Sequence, residues 1–209
     1  MRAAAQSYPL SHVSFPNLQE ADVFDCADWR KPRFVKEGLK LDRRAGRRAA
    51  LYRANFERLH SELRPHLRSC RTVYTHNPWG EYGHEEHVQV HHAVQRLVHE
   101  TGGDLWFPNY CSNRSYPLLQ RYIDRIDPEY AARPLDRELA ERMKRFYQSH
   151  GCWIWYDDYG WFPQECFARL RPPARDTART CMPLNAIRMD LPRRDPWRRW
   201  RAAARRVLG

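Results

Sequence analysis

The sequence predicts an α/β fold in which helices flank a mostly parallel sheet. Runs of β-branched and aromatic residues alternate with helical patterns along residues 71–108, and the connections are long enough for crossovers between parallel strands. At 209 residues, the chain is long enough to bury a core as one domain. Because parallel sheets bind ligands at the carboxyl ends of their strands, the loop after residue 75 is the first place to search for a site.

The N-terminal part predicts one strand and one long helix. Residues 12–15 (HVSF) predict a short strand, and an acidic loop follows it. Apolar residues then recur every three or four positions from Leu41 to Leu63, which is the pattern of one helix face. Pro65 is expected to end that helix, because proline lacks the backbone N–H that continues it.

The middle of the chain predicts a strand, a helix and another strand. Residues 71–75 (RTVYT) form the first of these, and a helix follows over residues 84–100, stopped by Gly102. Residues 104–108 (DLWFP) form the next strand. The remaining predicted elements are a helix over residues 135–149 and strands at residues 152–156 (CWIWY) and 165–170 (ECFARL).

The basic character of the chain is concentrated at its C-terminal end. The formal net charge is +11, and residues 171–209 hold eleven arginines against three aspartates, or +8, which leaves +3 for the rest. We therefore predict a main domain over residues 1–174 and an arginine-rich tail over residues 175–209, with a short helix after Pro196. Three interpretations of the tail stay open: a solvated helix, contact with an anionic membrane surface, or contact with nucleic-acid phosphates.

Cysteine usage and hydropathy indicate the compartment. The six cysteines are spread singly, so we expect reduced thiols and no disulfide framework. No stretch approaches the roughly 20 apolar residues of a membrane span. These features predict a cytoplasmic protein, peripheral to the membrane if the tail binds there.

Six of the ten histidines fall between His76 and His99. His84 and His87 are three residues apart, so on a helix they share a face and can converge on one ion or substrate group. Gly80 precedes them in a loop that must turn sharply. Spacing alone leaves two interpretations open, a metal or catalytic role and ordinary polar histidines, because a zinc site needs at least three protein ligands.

The residues around these histidines suggest supporting roles. Glu85 and Glu86 lie in the first turn of the helix, where negative charge is favoured, and could accept a hydrogen bond from a histidine ring. Asn77, Glu81 and Tyr82 lie in the loop that borders the site and are candidates for substrate binding.

The run THNPWGEYGHEEHVQVHHAV resembles the second signature of the PIG-L/LmbE family of zinc-dependent N-deacetylases. Weaker similarity extends over residues 8–170. The resemblance implies a Rossmann-like domain that hydrolyses the N-acetyl group of an N-acetylglucosamine-type conjugate, in some cases lipid-linked. It implies that His87 binds zinc or another divalent metal and that His84 stabilises the developing oxyanion or assists proton transfer. Glu20 and Asp22, in the upstream acidic loop, are then candidates for binding sugar hydroxyls.

The chain departs from the family pattern in two places. Glu85-Glu86 stands where the family has Pro-Asp, and the family's His-Pro-Asp-Asp motif, which supplies further ligands and the general base, does not occur. We therefore expect the first strand or strands to be missing from the sheet, which would leave an exposed edge. A continuation upstream of Met1, a wall supplied from elsewhere, and a catalytically inactive remnant or scaffold are the open explanations. A nucleic-acid or anionic-surface binder acting through the tail is the other alternative.

Overall fold

The computed structural model describes Leu10, residues 12–170 and residues 182–189. Its elements, in chain order, are β1 (Phe34–Val35), β2 (Gly38–Leu39), α1 (Arg48–Leu67), β3 (Thr72–Tyr74), α2 (Glu85–Thr101), β4 (Asp104–Pro108), β5 (Tyr110–Ser112), α3 (Tyr116–Leu119), β6 (Ala131–Pro134), α4 (Arg137–Ser149), β7 (Gln164–Ala168) and β8 (Asn185–Ile187). Short 3-10 turns cover Arg43–Ala45 and Ile123–Arg125. The mixed α/β class is confirmed.

The largest sheet has four strands in the order β3-β4-β7-β6. β3 and β4 are parallel, with Val73 opposite Leu105, whereas β4–β7 and β6–β7 are antiparallel. β5 and β8 form a separate parallel pair. The sheet is therefore mixed, and the prediction of a mostly parallel sheet is wrong. Alternation of strands and helices does not determine direction here, because the long connection over residues 109–163 lets the chain enter β7 in the opposite sense.

β3 is an edge strand among the strands that the structure describes. It pairs with β4 on one side. Tyr74, at its end, is 60% exposed. The carboxyl end of this strand leads directly into the histidine loop.

α1 and α2 pack against each other beside the sheet. Tyr52 and Phe56 are the large buried residues of α1, as the apolar stripe predicts. The helix continues past Pro65 to Leu67, so the predicted end is wrong. A proline this close to the C-terminal end removes one hydrogen bond near the terminus, and the last turn survives that loss. α2 ends as predicted, at Gly102 in the left-handed conformation.

Two predicted strands are not strands in the structure. Residues 12–15 run without regular pairing, and residues 152–156 are irregular, with a single bend at Trp155. The CWIWY run is continuously apolar, but Ile154 is 84% exposed. Trp153 packs on Trp161 and Trp155 on Tyr159, both partners lying outside this run.

The core has three buried clusters. The largest lies where α2 and the strands meet and includes Trp79, Val88 and Phe107, all at most 1% exposed. A second joins Val23 and Cys26 to Tyr52, and a third joins Val73 to α2. Within the described residues Cys26, Cys70, Cys111 and Cys166 are free thiols.

Part of the predicted tail belongs to the folded body. Residues 182–189 include β8, which pairs with β5, and Met182 is buried in the main core. The boundary at residue 174 therefore does not separate these residues from the domain. The predicted helix after Pro196 lies outside the described residues. None of the described helices has the length and apolarity needed to cross a bilayer.

The loop before α2 requires glycine at residue 80. Gly80 has φ 70°, and a Cβ there would lie 2.6 Å from the carbonyl oxygen of His84 and 2.9 Å from a Val88 methyl carbon. Gly102 has a similar φ of 72° with nothing within 4 Å of a Cβ. Gly102→Ala should cost roughly 1–2 kcal/mol from backbone strain alone. Gly80→Ala should lower the free energy of unfolding by about 1–3 kcal/mol more than Gly102→Ala, because its Cβ also overpacks the loop.

Urea denaturation of the two variants tests this difference. Equal losses in the free energy of unfolding would show that residue 80 is not as tightly packed as described.

Candidate metal centre

The loop between β3 and α2 is held by two successive turns. The N–H of Gly80 donates to the carbonyl of Asn77 at 3.1 Å, and the N–H groups of Gly83 and His84 donate to that of Gly80 at 2.8 and 3.0 Å. Glu81, between the turns, has a positive φ of 49°. Such a conformation is strained for a residue with a side chain, and it directs Glu81 back toward the helix.

Asn77 anchors this loop to the neighbouring strands. Its backbone N–H donates to Glu81 Oε1 at 2.7 Å, and its side-chain oxygen accepts from the N–H of Glu81 at 2.8 Å. Its amide Nδ2 donates to the carbonyls of Pro108 and Tyr110. Asn77 is fully buried. It therefore holds the loop in place, which differs from the predicted contact with substrate.

Glu81 joins two histidines. Its Oε2 lies 2.6 Å from Nδ1 of His87 and 3.2 Å from Nδ1 of His76, and the two imidazole rings stack with centroids 3.9 Å apart. Burial raises the pKa of Glu81, but the hydrogen bonds and charges of His76 and His87 outweigh it and lower the pKa to about 2. Glu81 is 7% exposed. Its carboxylate is therefore engaged by histidines, which corrects the predicted role in substrate binding.

The hydrogen bond to Glu81 determines which nitrogen of His87 is free. Two ligand atoms of one tetrahedral zinc ion lie roughly 3.3 Å apart. The 2.6 Å between Glu81 Oε2 and His87 Nδ1 is shorter and is a hydrogen bond, with Nδ1–H as donor. Burial lowers the pKa of His87, and Glu81 opposes that shift. The neutral ring then carries its lone pair on Nε2, the arrangement found in histidine ligands oriented by a carboxylate.

His84 has the opposite tautomer. It is the N-cap of α2, and its Nδ1 accepts the backbone N–H of Glu86 at 3.2 Å. A neutral ring whose Nδ1 accepts must carry its proton on Nε2. Burial, followed by the charges of His87, His76 and Arg114, lowers the pKa of His84 to about 3. His84 is therefore a neutral hydrogen-bond donor and is poorly suited to be a metal ligand.

Glu85 lies on the other side of the helix start and contacts no histidine ring. It is completely buried, and its carboxylate accepts the N–H groups of Cys26 and Ala27, both at 2.9 Å, and Nε1 of Trp29 at 3.0 Å. Nη2 of Arg114 donates to it at 3.2 Å. The predicted role of Glu85 in orienting a histidine is therefore wrong, because adjacent helical residues point about 100° apart and this one faces the core.

Glu86 and Glu20 lie on the outer side of His84. With His84 they form a group whose possible ligand atoms all lie within 4.8 Å of one another. Glu86 Oε1 accepts the N–H of Ala21 at 2.8 Å, and burial raises the pKa of Glu86 to about 7. Glu20 Oε1 lies 3.8 Å from His84 Nε2. Glu86 thus acts through its backbone on His84, and its carboxylate makes no hydrogen bond to a histidine ring.

A cavity of about 270 Å³ opens beside His84 and His87. It has an apolar wall and a wall of hydrogen-bond acceptors; its other lining residues are Leu18, Gln19, Glu20, Asn55, Leu59, Glu86, Gln89 and Val90. Asn55 Oδ1 and Glu86 Oε2 are buried without a hydrogen-bond partner among the described residues. The predicted Asp22 does not line this cavity: its side chain is 71% exposed and lies 3.6 Å from Arg48.

Tyr82 forms the side wall of the site. Its ring meets His87 edge-on at 5.2 Å, His84 at 5.9 Å and Trp155 at 5.1 Å between centroids. Burial, with the nearby charges of Glu81 and Glu20, raises the pKa of its hydroxyl to about 12, so the phenol stays neutral. Tyr82 is placed to cover the histidines, as expected for a residue bordering the site.

Sequence reasoning missed His76 and Arg114. His76 lies two residues after the end of β3, a position that sequence patterns mark as a loop start and not as a ligand. Arg114 is far from the histidine run in sequence, and its charge gave no reason to expect burial. The strand-end position of His76 is the signal that could have found it.

No protein-family model matches this chain, and neither does any curated protein or solved structure. The PIG-L/LmbE resemblance therefore stays a prediction carried by the histidine run.

Removing the Glu85 carboxylate should destabilise the protein strongly. Glu85→Ala leaves Arg114 and the surrounding donors buried without their acceptor, and such a loss costs about 3–5 kcal/mol. Glu86→Ala, the neighbouring control, removes one hydrogen bond and should cost about 1 kcal/mol. Chemical denaturation measures both, and similar losses would contradict the role of Glu85.

Proposed function

We propose that this chain is a metal-dependent amide hydrolase that removes the N-acetyl group of an amino-sugar conjugate. The observation that carries the proposal is the group of His76, Glu81 and His87, whose possible ligand atoms lie within 4.8 Å of one another, with Glu81 Oε2 against Nδ1 of both histidines. Imidazole nitrogen oriented by a carboxylate suits zinc and related divalent ions. The sugar substrate and the N-deacetylase activity rest on the resemblance of residues 75–94.

His76 and His87 supply two nitrogen donors for a divalent ion, and the Glu81 carboxylate, whose oxygen lies within 4.8 Å of a ring nitrogen of each, balances part of the ion's charge. A zinc ion bound there would supply Lewis acidity and a water molecule of lowered pKa. In the chain itself, Glu81 orients the histidines, Tyr82 excludes bulk water, and Nε2–H of His84 donates a hydrogen bond.

His84 supplies the electrophilic contribution. In amide hydrolysis the water oxygen bonds to the carbonyl carbon, the C–N bond breaks, and the nitrogen leaves as an amine after taking up a proton, with acetate as the other product. Negative charge develops on the carbonyl oxygen during this reaction. Nε2–H of His84 is a neutral, fixed donor of the kind that stabilises such an oxyanion.

The cavity beside His84 supports a sugar-like substrate. Leu18, Leu59 and Val90 can contact the apolar face of a ring, while Glu20, Asn55 and Glu86 accept hydrogen bonds from hydroxyl groups. Membrane or nucleic-acid contacts through the arginine-rich tail stay a prediction, because most of the tail lies outside the described residues.

Metal binding is the first test. Chelator-treated protein titrated with Zn²⁺ should bind the ion, and His87→Ala should abolish or strongly weaken binding. Glu81→Gln should weaken it by about 10–100-fold, because the orienting carboxylate is lost. His92→Ala is the matched control, since His92 lies on the same helix but stacks on Phe34. Equal zinc affinity in the His87 and His92 variants, measured by calorimetry, would overturn the metal site.

Activity is the second test, measured as acetate released from methyl N-acetylglucosaminide by zinc-loaded protein. His84→Asn should keep the helix cap, since asparagine caps well, and should keep zinc binding. It should lower kcat by about 10²–10³-fold with a smaller change in KM, because the donor acts in the transition state. A wild-type rate in this variant would remove His84 from the reaction. No acetate release by the zinc-loaded wild type would overturn the proposed function.

A further inference from the structure

A separate cavity of about 290 Å³ lies between α2, the start of β4 and the residues that follow β7. It shares no lining residue with the cavity beside His84 and His87. Its lining combines apolar side chains with buried polar ones. The apolar side chains are those of Val98, Leu105, Phe107 and Leu170.

The cavity lies where the sheet opens. β4 and β7 pair at Phe107 and Ala168, and the same register would place Leu105 opposite Leu170. The ladder ends before that pair, and both leucines line the cavity. The backbone groups of Asp104 and Trp106 bond toward β3. Because alternate residues of a strand bond to opposite sides, the N–H and carbonyl of Leu105 face the opening.

His91 contributes an unused hydrogen-bond acceptor to the lining. The residue is fully buried, and its Nδ1 lies 2.7 Å from the carbonyl oxygen of His76. A carbonyl oxygen only accepts, so Nδ1 carries a proton. Burying a charged ring with an unpaired second N–H would be costly, so the ring is neutral and its Nε2 is an acceptor. No hydrogen bond reaches this Nε2 from the part of the chain that the structure describes.

Arg169 contributes an unused donor to the same lining. Its two Nη atoms lie 3.2 to 3.4 Å from the carboxylates of Asp104, Asp127 and Glu129. Its Nε–H is buried and has no hydrogen-bond partner among the described residues. Three carboxylates surround one guanidinium, so this end of the cavity is electronegative and disfavours an anionic ligand.

We propose that this cavity binds an amino-substituted nitrogen heterocycle of the adenine or cytosine type. Such a ring has two apolar faces for the leucine, valine and phenylalanine side chains, and an edge that carries an amino donor beside a ring-nitrogen acceptor. The amino group donates to Nε2 of His91, and the ring nitrogen accepts from Nε–H of Arg169. An alkyl chain would leave both atoms buried and unpaired, which is unfavourable. The proposal is independent of the hydrolase and of its metal.

The nearby carboxylates favour an amino group over a carbonyl on the ligand. An amino group has a second hydrogen to offer to an acceptor such as Asp127, which lines the cavity. A carbonyl oxygen in that position would face negative charge instead. The adenine and cytosine type is therefore expected to bind in preference to the hypoxanthine and uracil type.

The test measures the binding of four probes to the full chain by calorimetry. Chelator-treated protein is used, because purines also bind metal ions. Adenine should bind about tenfold more tightly than 6-methylpurine, which has the same ring but a methyl group in place of the amino donor. Adenosine distinguishes a nucleoside from a free base as the source of the heterocycle, and benzylamine represents a simple amine cation.

Two variants locate the binding. In His91→Asn the amide can still donate to the carbonyl of His76 but has no acceptor at the position of Nε2, so the tenfold preference for adenine should disappear. Arg169→Lys keeps the positive charge and removes Nε–H, so adenine should bind about tenfold more weakly. His92→Ala is the matched control: it is the next residue of α2, does not line this cavity and should change neither result.

Several results would overturn the inference. These are the absence of adenine binding, equal affinities for adenine and 6-methylpurine, and tighter binding of benzylamine than of adenine. If His91→Asn does not fold, as judged by circular dichroism, Arg169→Lys decides alone: an unchanged adenine affinity in that variant would place the binding elsewhere on the chain. Adenosine that binds as tightly as adenine would support the inference with a nucleoside as the ligand.

Discussion

The buried carboxylate of Glu85 is the constraint on which the site depends. It lies at the first residue of α2 and gathers backbone N–H groups of Cys26 and Ala27, the indole of Trp29 and the guanidinium of Arg114. An ionised carboxylate is costly to bury unless such donors surround it. Residues 25–29 supply several of these donors, so their hydrogen bonds hold this segment against the start of the helix. The histidines on either side of Glu85 are therefore held in position by a residue that does no chemistry.

Helix periodicity explains why the neighbouring residues Glu85 and Glu86 make different contacts. Glu85 and Gln89 are four residues apart and face the packed side, where Gln89 donates to the carbonyl of Tyr52 at 2.8 Å. His84, His87 and His91 follow the 3–4 spacing of another face. From sequence, two adjacent glutamates at a helix start look alike, since both favour the dipole.

The sequence predicted the helices and the central strands better than their directions or the site's partners. Apolar periodicity and the Gly102 stop are local signals, and they located α2 and β4 well, whereas α1 begins at Arg48 and not at Leu41 and continues past Pro65. The direction of β7 depends on the path of the long connection before it, and a local sequence pattern does not encode that path. Glu85 and Glu86, the carboxylates predicted to bond a histidine ring, do not; the carboxylate against His87 is Glu81. Its approach depends on a loop reversal with positive φ that sequence spacing does not reveal.

His84 and His87 differ chemically although their rings stack 4.7 Å apart at 13°. The Glu81 carboxylate accepts from Nδ1 of His87, so the free Nε2 of His87 is an acceptor. A backbone N–H donates to Nδ1 of His84, so the free Nε2 of His84 is a donor. The Glu81 carboxylate is buried and ionised, because the hydrogen bonds and charges of His76 and His87 lower its pKa. A divalent cation at Nε2 of His87 would offset that charge. The same buried charge that fixes the tautomer of His87 thus also favours a cation as the ligand.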